Sequence, residues 1–179
     1  MIDTSKKFLV AGAGKSGIGS VNLLLKTGAD VSLYDGNEEL DKEALFEKLY
    51  EKKEISLVLG NITKEDIEKY DLLVLSPGIS VNAPIAQMFY DQEKPVWSEI
   101  ELAYQASKGK IAAITGTNGK TTTTALTGEI MKGYYESSFV VGNIGIPYTS
   151  VALDTQENSV ITAEISSFQL ETIVDFKPD

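Results

Sequence analysis

The chain has 179 residues, a formal net charge of −10 at pH 7 and an isoelectric point near 4.5. This acidic balance argues against a nucleic-acid-binding surface, which needs a basic stripe. The sequence contains no Arg, His or Cys, which excludes Ser/His and Cys/His catalysis, disulfide bonds and zinc-thiolate sites. The first residues are polar and no apolar run reaches membrane-spanning length, so we expect a soluble cytoplasmic protein.

A βαβ pattern opens the chain. Residues 8–11 and 31–34 are apolar runs typical of strands, and a helix is predicted from about Ser16 to Lys26 between them. The connecting turn, residues 12–17, reads G-x-G-x-x-G, and Asp35 follows the second strand where a ribose-binding carboxylate belongs. Asp35 could instead be a helix or turn cap, although the match at its position favours the site. Taken alone, the pattern predicts an NAD-dependent oxidoreductase.

Strands and helices continue to alternate up to about residue 107. Because of this alternation, the first sheet is predicted to be parallel and doubly wound. The turn at 76–79 is either a plain tight turn or the wall of a ligand site. We place the domain boundary so that residues 1–95 form the first domain and residues 96–179 the beginning of a second. The predicted strands are 56–59, 71–75 and 95–97, and the predicted helices are Asp41–Lys52, Lys64–Lys69, Ala83–Asp91 and Glu99–Ser107.

A glycine loop between a strand at 111–114 and a helix at 125–131 predicts a phosphate site, and the four threonines 121–124 are expected at the start of that helix. Its glycines let an anion approach the backbone, and the helix amino end offers unpaired amide donors. Lys120 adds a cation, and Thr121 would offer a hydroxyl to magnesium. Ile114 stands where the common phosphate loop has its first glycine, so this is a shortened G-x-x-G-K-T form. The loop residues are Gly116, Thr117, Asn118, Gly119, Lys120, Thr121 and Thr122.

Two more strands are predicted in the second unit, at 139–141 and 159–163. A phosphate-loop domain normally needs more strands than these to bury its sheet, so we expect the sequence to be a fragment of a longer protein. The incomplete sheet would leave an exposed edge through which the fragment could self-associate.

Three segments together resemble the Mur ligases of bacterial cell-wall synthesis, over all 179 residues. They are the phosphate loop, the run Asn143-Ile144-Gly145 and the run 164–170 (EISSFQL). With the early turns at 12–17 and 76–79, the chain is most similar to the branch that adds D-glutamate to UDP-N-acetylmuramoyl-L-alanine. Folylpolyglutamate synthetase shares the phosphate loop but would lack the first domain.

The resemblance implies an α/β protein with a Rossmann-like parallel-sheet domain, followed by the start of a phosphate-loop α/β ATPase domain. It implies a ligase of peptidoglycan biosynthesis, and hence of cell shape and division, that uses ATP and Mg²⁺. The partners would be UDP-N-acetylmuramoyl-L-alanine and D-glutamate, joined through an acyl phosphate, and the parent would be monomeric. The family's downstream histidine, carbamylated lysine and third domain, which holds D-glutamate, lie outside this chain, so the fragment alone is expected to be inactive.

The resemblance also implies a role for each matching position. In the first domain the substrate diphosphate would meet Gly14, Lys15, Ser16 and Gly17, the uridine would meet Asp35 and Gly36, and the opposing wall would be Ser76, Pro77 and Gly78. In the second, Lys120 would bind the β and γ phosphates, Thr121 the first magnesium and Glu164 the second, Asn143 would orient the substrate, and Ser166 and Gln169 would assist.

Less specific interpretations remain open. The Asn143 segment suits a plain turn, and a carboxylate at a strand end, such as Glu164, is often only solvated. Two further hypotheses compete for the chain as a whole. An oxidoreductase would use the first glycine turn but leave the phosphate loop without a role, and a non-catalytic fragment would only bind a nucleotide.

Overall fold

The computed structural model describes residues 2–143 and 145–179. Strands and helices alternate through these residues. The strands are β1 (Lys7–Ala11), β2 (Asp30–Asp35), β3 (Ser56–Leu59), β4 (Leu72–Leu75), β5 (Val96–Ser98), β6 (Lys110–Ile114), β7 (Ser138–Gly142) and β8 (Val160–Glu164). The helices are α1 (Lys15–Thr27), α2 (Lys42–Phe46), α3 (Lys64–Ile67), α4 (Pro84–Asp91), α5 (Glu99–Ala106), α6 (Lys120–Tyr134), α7 (Tyr148–Val151) and α8 (Ser167–Leu170).

The first sheet has the strand order β3-β2-β1-β4-β5 and is parallel throughout. Phe8 and Val10 of its central strand belong to one hydrophobic cluster, whereas Leu9 and Ala11 belong to a second. Alternate side chains of β1 therefore meet helices on opposite faces, which confirms the doubly wound α/β expectation. The strand order reverses between β1 and β4, and a crevice at such a switch point opens at the carboxyl ends of the strands.

The first sheet extends slightly further along the chain than the sequence division implies. β5 pairs with β4 through Val96, Trp97 and Ser98. The boundary drawn after residue 95 thus falls at the start of this strand instead of after it. The division of the chain into two domains remains a prediction, with residues 99–109 as the connection between the two sheets.

The second sheet has the order β6-β8-β7 and is also parallel. Glu164 ends the central strand, where it is paired with Ile114 on one side and with Gly142 on the other. All three strands thus end at one edge. The segments that follow them, which include the phosphate loop and Asn143, therefore leave the sheet side by side.

Two helices differ from their predicted lengths by more than two residues. α6 runs from Lys120 to Tyr134, so it extends beyond the predicted 125–131 at both ends, and its first turn contains the threonines 121–124 that were expected at the helix start. α2 ends at Phe46, far short of Lys52. There the Asn22 side chain of α1 bonds the Lys48 carbonyl and the Tyr50 amide, which holds that stretch in a turn.

The two units share one core. α7, a short helix that the sequence patterns did not predict, packs against α1 of the first unit and against α5 of the connecting segment. A Cβ added to Gly19 of α1 would lie 2.6 Å from Thr149 Oγ1, so the close approach requires glycine there. Tyr148 is buried, and its hydroxyl is 2.6 Å from Ser107 Oγ.

Within the described residues, no helix is both long and apolar enough to cross a membrane.

Candidate functional site

A cleft of about 480 Å³ lies at the switch point of the first sheet. It brings together the turn after β1, the turn after β2 and the turn after β4. The adjacency follows from the strand order, since β1 lies between β2 and β4. Its lining consists of Gly12, Ala13, Gly14, Lys15, Ser16, Asp35, Gly36, Ser76, Pro77, Gly78, Ile79 and Asn143.

The structure places different demands on the three glycines of the first turn. Gly12 has a φ of +98°, which side-chain-bearing residues rarely adopt, and a Cβ on Gly17 would lie 1.7 Å from the Gly12 carbonyl oxygen. Backbone conformation therefore accounts for Gly12, and packing accounts for Gly17. Gly14 has an ordinary φ of −72° and open space around a Cβ. Neither packing nor a positive φ calls for glycine there. Gly14 is the N-cap of α1, where glycine is favoured, and it would also let a ligand approach the backbone closely.

Asp35 holds the glycine turn in place. Its Oδ2 accepts a hydrogen bond from the Ala13 amide at 2.8 Å, and its Oδ1 accepts one from the Asn37 amide at 2.9 Å. The carboxylate is thus a backbone cap that links the ends of β1 and β2, which supports the turn-cap interpretation. Gly36 lies beside it in the cleft lining.

The phosphate loop has the backbone that its sequence predicted. Gly116 and Gly119 have φ values of +148° and +77°, and Gly119 is the N-cap of α6 without a side-chain cap. The ammonium of Lys120 donates to the Gly116 carbonyl across the loop at 2.7 Å. Thr121 and Thr122 are exposed in the first turn of α6. An uncapped helix start beside a lysine is a geometry that suits a phosphate group.

Asn143 connects this loop region to the first cleft. Its amide donates to the Glu164 carbonyl at 2.9 Å, so it leaves β7 directly beside the end of β8. It is also part of the lining of the first cleft. Glu164 is only 2% exposed, so it is not the freely solvated carboxylate that its strand-end position alone would allow. Ile144, the middle residue of the Asn143 motif, lies outside the described residues.

Gly142 is a residue of the sheet edge whose backbone conformation sequence reasoning missed. Its φ is +128°, and a Cβ there would lie 2.0 Å from the carbonyl oxygen of Glu164. The residue lets β7 end in close contact with β8, and this places the next residue, Asn143, at the cleft. A glycine immediately before Asn143 was visible in the sequence, but its need for this conformation was not.

Ser166 and Gln169 form a reciprocal cap at the start of α8. The Ser166 amide donates to Gln169 Oε1 at 2.6 Å, and the Gln169 amide donates to Ser166 Oγ at 3.3 Å. Their S-x-x-Q spacing is a capping-box signal that could have predicted this helix start. The Gln169 side-chain amide also donates to Glu99 Oε1 at 2.5 Å. The polar groups of Gln169 that were proposed to assist a substrate are therefore engaged within the protein.

The donor set suits magnesium held mainly by a nucleotide. The described residues contain no group of three or more carboxylates or other strong ligands that could enclose a metal ion. Magnesium in phosphoryl-transfer sites commonly takes only one or two protein oxygens, with phosphates and water completing its shell. A hydroxyl such as that of Thr121 and a carboxylate such as that of Glu164 are ligands of this kind.

The fold and the two glycine turns define a class of protein, a parallel α/β protein with two candidate anion sites at the carboxyl edges of successive sheets. Comparison with known families is more specific. The family model of the MurD-like N-terminal domain of Mur ligases matches residues 6–98, and that of the Mur ligase middle domain matches residues 114–178. The chain belongs to the Mur ligase family.

Curated relatives carry the name UDP-N-acetylmuramoylalanine-D-glutamate ligase. The protein of Lachnospira eligens is 55% identical over 174 residues, and that of Lachnoclostridium phytofermentans is 53% identical over 174 residues. Each alignment covers 97% of this chain but only 38% of the relative. The chain therefore spans well under half the length of these curated relatives.

Solved structures support the fold. A pseudomurein peptide ligase type C from Methanothermus fervidus aligns with a TM-score of 0.50 at 23% identity, covering 90% of this chain and 33% of that one. The UDP-N-acetylmuramate-alanine ligase MurC from Thermotoga maritima aligns with a TM-score of 0.50 at 22% identity, covering 90% of this chain and 37% of that one. At this identity the likeness concerns the architecture alone.

Proposed function

We propose that this chain carries the UDP-substrate site and the core of the ATP site of a ligase that adds D-glutamate to UDP-N-acetylmuramoyl-L-alanine in peptidoglycan synthesis. The names of the relatives that are 55% and 53% identical support this substrate pair. The proposed activity belongs to a protein of the relatives' length. We propose that the 179-residue chain alone does not complete the reaction, because it spans only 38% of the length of the relatives that carry this name.

One observation carries the proposal. Asn143 lies beside Glu164 at the edge of the second sheet and also in the lining of the first cleft. A substrate whose diphosphate rests on the first glycine turn could therefore extend toward the edge where the phosphate loop begins. Phosphoryl transfer needs its donor and acceptor held in contact, and two separate nucleotide sites would give no reason for such an arrangement.

The residues of the first cleft would bind and orient the UDP-linked substrate. The amides at the start of α1 and the Lys15 ammonium would meet the diphosphate, with Gly14 allowing close approach. Gly36 would lie against the uridine, while Asp35 keeps the turn in shape by bonding the Ala13 amide. The turn 76–78 would form the opposite wall, in accordance with its place in the cleft lining.

The residues of the phosphate loop would neutralise charge. In the proposed reaction the alanine carboxylate accepts the terminal phosphoryl group of ATP, and the D-glutamate amine then displaces phosphate to form the amide. Two anions must meet in the first step, so electrostatic stabilisation is the main requirement. Lys120 would serve the β and γ phosphates, and Asn143 would orient the acceptor.

Thr121 and Glu164 would hold magnesium, which supplies further positive charge when bound. Glu164 is buried at the strand end, and Thr121 is exposed at the first turn of α6. We further propose that the protein acts in the cytoplasm, where nucleotide-linked precursors are available, and that the parent is monomeric.

Calorimetric titration of the chain separates this proposal from its main alternative. We expect UDP-N-acetylmuramoyl-L-alanine to bind and NAD not to bind. Ligation should be absent when ATP, UDP-substrate and D-glutamate are supplied together to the 179-residue chain. Tight binding of NAD without a response to the uridine nucleotide would favour an oxidoreductase and contradict the proposal.

A further inference from the structure

Two buried carboxylates at the start of α5 reach across to the segment that follows β8. Glu99 is 3% exposed and Glu101 is 0% exposed. Burying a carboxylate is costly unless the protein supplies hydrogen-bond partners. These two carboxylates differ in their hydrogen bonds: both oxygens of Glu101 have partners, whereas only one oxygen of Glu99 has one.

Glu101 is a fully satisfied anchor. Its Oε2 accepts hydrogen bonds from the amides of Val174, Asp175 and Phe176 at 2.8, 3.1 and 2.9 Å. Its Oε1 accepts one from the side chain of Gln105 at 2.8 Å. Both oxygens are thus occupied, and the carboxylate holds residues 174–176 on α5.

Glu99 is only half satisfied. Its Oε1 accepts the hydrogen bond from Gln169, whereas its buried Oε2 has no hydrogen-bond partner among residues 2–143 and 145–179. It lines a pocket of about 150 Å³. Among the described residues that line this pocket, the other titratable group is Glu171 and none is a lysine. Burial raises the pKa of Glu99 to about 7, although the bond from Gln169 opposes the rise. Stability alone does not favour a carboxyl in this environment, since an apolar residue of similar volume would cost less.

The position of Gln169 connects Glu99 to the candidate sites. Gln169 caps the amide of Ser166, two residues beyond Glu164. The pocket in front of Glu99 is walled by residues 76–79, which also line the first cleft. Glu99 therefore lies behind the wall of the first cleft and beneath α8, where the two units meet.

We propose that Glu99 is a positioning residue that fixes Gln169 and α8 against the wall of the first cleft, so that a UDP-linked substrate meets both units in one arrangement. This inference rests on the proposed function and deepens it. The uridine diphosphate end would need only the first unit. The longer, amino-acid-bearing end would need the relative position of α8, and Glu99 would set that position through Gln169.

The test compares UDP with UDP-N-acetylmuramoyl-L-alanine as ligands of the chain, by calorimetry. Glu99→Met keeps the side-chain volume but removes the acceptor, and Glu99→Gln keeps an acceptor for Gln169. We expect E99M to weaken binding of the long ligand about tenfold, as for loss of a buried hydrogen bond, and to change UDP affinity less than about twofold. E99Q should restore most of the affinity. Glu171→Gln, an exposed carboxylate of the same pocket, is the matched control and should change neither.

A double-mutant cycle with Gln169→Ala tests whether Glu99 acts through Gln169. We expect E99M to have little further effect on long-ligand affinity in the Q169A background, because both substitutions break the same contact. Equal losses for UDP and the long ligand, or additive losses in the cycle, would overturn the role of Glu99 while leaving the proposed function standing. Failure of the unmodified chain to bind the long ligand would overturn both.

Discussion

The amide of Asn143 donates a hydrogen bond to the carbonyl of Glu164 at 2.9 Å, which joins the end of β7 to the end of β8. This contact depends on the residue before Asn143, because only glycine fits against the Glu164 backbone there. The backbone at the edge of the second sheet therefore fixes the position of Asn143, the residue proposed to orient the phosphoryl acceptor.

Replacing Gly142 with Ala should destabilise the second unit. The φ of +128° is unfavourable for alanine, and the added Cβ would lie 2.0 Å from the Glu164 carbonyl oxygen. We expect the free energy of unfolding to fall by about 2 to 4 kcal/mol, measured by urea denaturation. Gly133 of α6 is the matched control, since it has open space and no positive φ. Gly133→Ala should leave stability unchanged or raise it by up to about 1 kcal/mol. Equal effects of the two substitutions would contradict the assignment.

Replacing Gly17 with Ala should mainly lower stability, whereas replacing Gly14 with Ala should mainly weaken ligand binding. Gly17→Ala places a Cβ 1.7 Å from the Gly12 carbonyl oxygen and should lower stability by about 3 kcal/mol or more. Gly14→Ala meets no neighbouring atom, so it should cost no more than about 1 kcal/mol as a poorer N-cap. If Gly14 allows close approach of a diphosphate, G14A should nevertheless weaken UDP binding about tenfold. Thermal unfolding and calorimetry measure the two effects, and unchanged UDP affinity would remove Gly14 from the site.

Lys120→Ala should weaken the binding of ATP but not that of UDP-N-acetylmuramoyl-L-alanine. Loss of the ammonium at the mouth of α6 should weaken ATP binding by about tenfold to a hundredfold, because charge-assisted bonds to phosphate are lost. Binding of UDP-N-acetylmuramoyl-L-alanine should remain within about threefold. Lys132→Ala removes a lysine of the same helix that pairs with Glu129 at 2.6 Å, and it should affect neither ligand. Loss of both ligands together in K120A would contradict the division of roles between the two units.

Stability should fall with rising pH through the titration of Glu99. Its pKa is raised by burial from 4.5 to about 7, so the folded chain keeps a proton that the unfolded chain releases. This contribution is complete below about pH 4.5 and is lost as the pH rises through about 7. The free energy of unfolding, measured relative to Glu99→Gln, should decrease by on the order of 3 kcal/mol across that range. Urea titrations at a series of pH values measure it, with Glu171→Gln as a control that keeps the wild-type slope. Parallel curves for wild type and E99Q would show that Glu99 does not titrate in this range.

Local patterns in the sequence determined the elements and the glycine turns. The apolar run at 8–11 and the glycines at 12–17 predicted β1, its turn and α1, because strand burial and positive φ leave a signal within a few residues. The same holds for residues 111–122, where both the strand and the phosphate loop were predicted. The S-x-x-Q spacing at 166–169 was an equally local signal for the start of α8, although it was read as part of a site.

Tertiary structure alone decided which of these pieces meet. Asn143 enters the first cleft because the two sheets are held together by α7 and a shared core, and Glu99 meets Gln169 across 70 residues of sequence. α2 is short because Asn22 of a different helix bonds the chain beyond it. Contacts between distant residues depend on the packing of whole elements, and no periodicity or spacing within one segment encodes that packing.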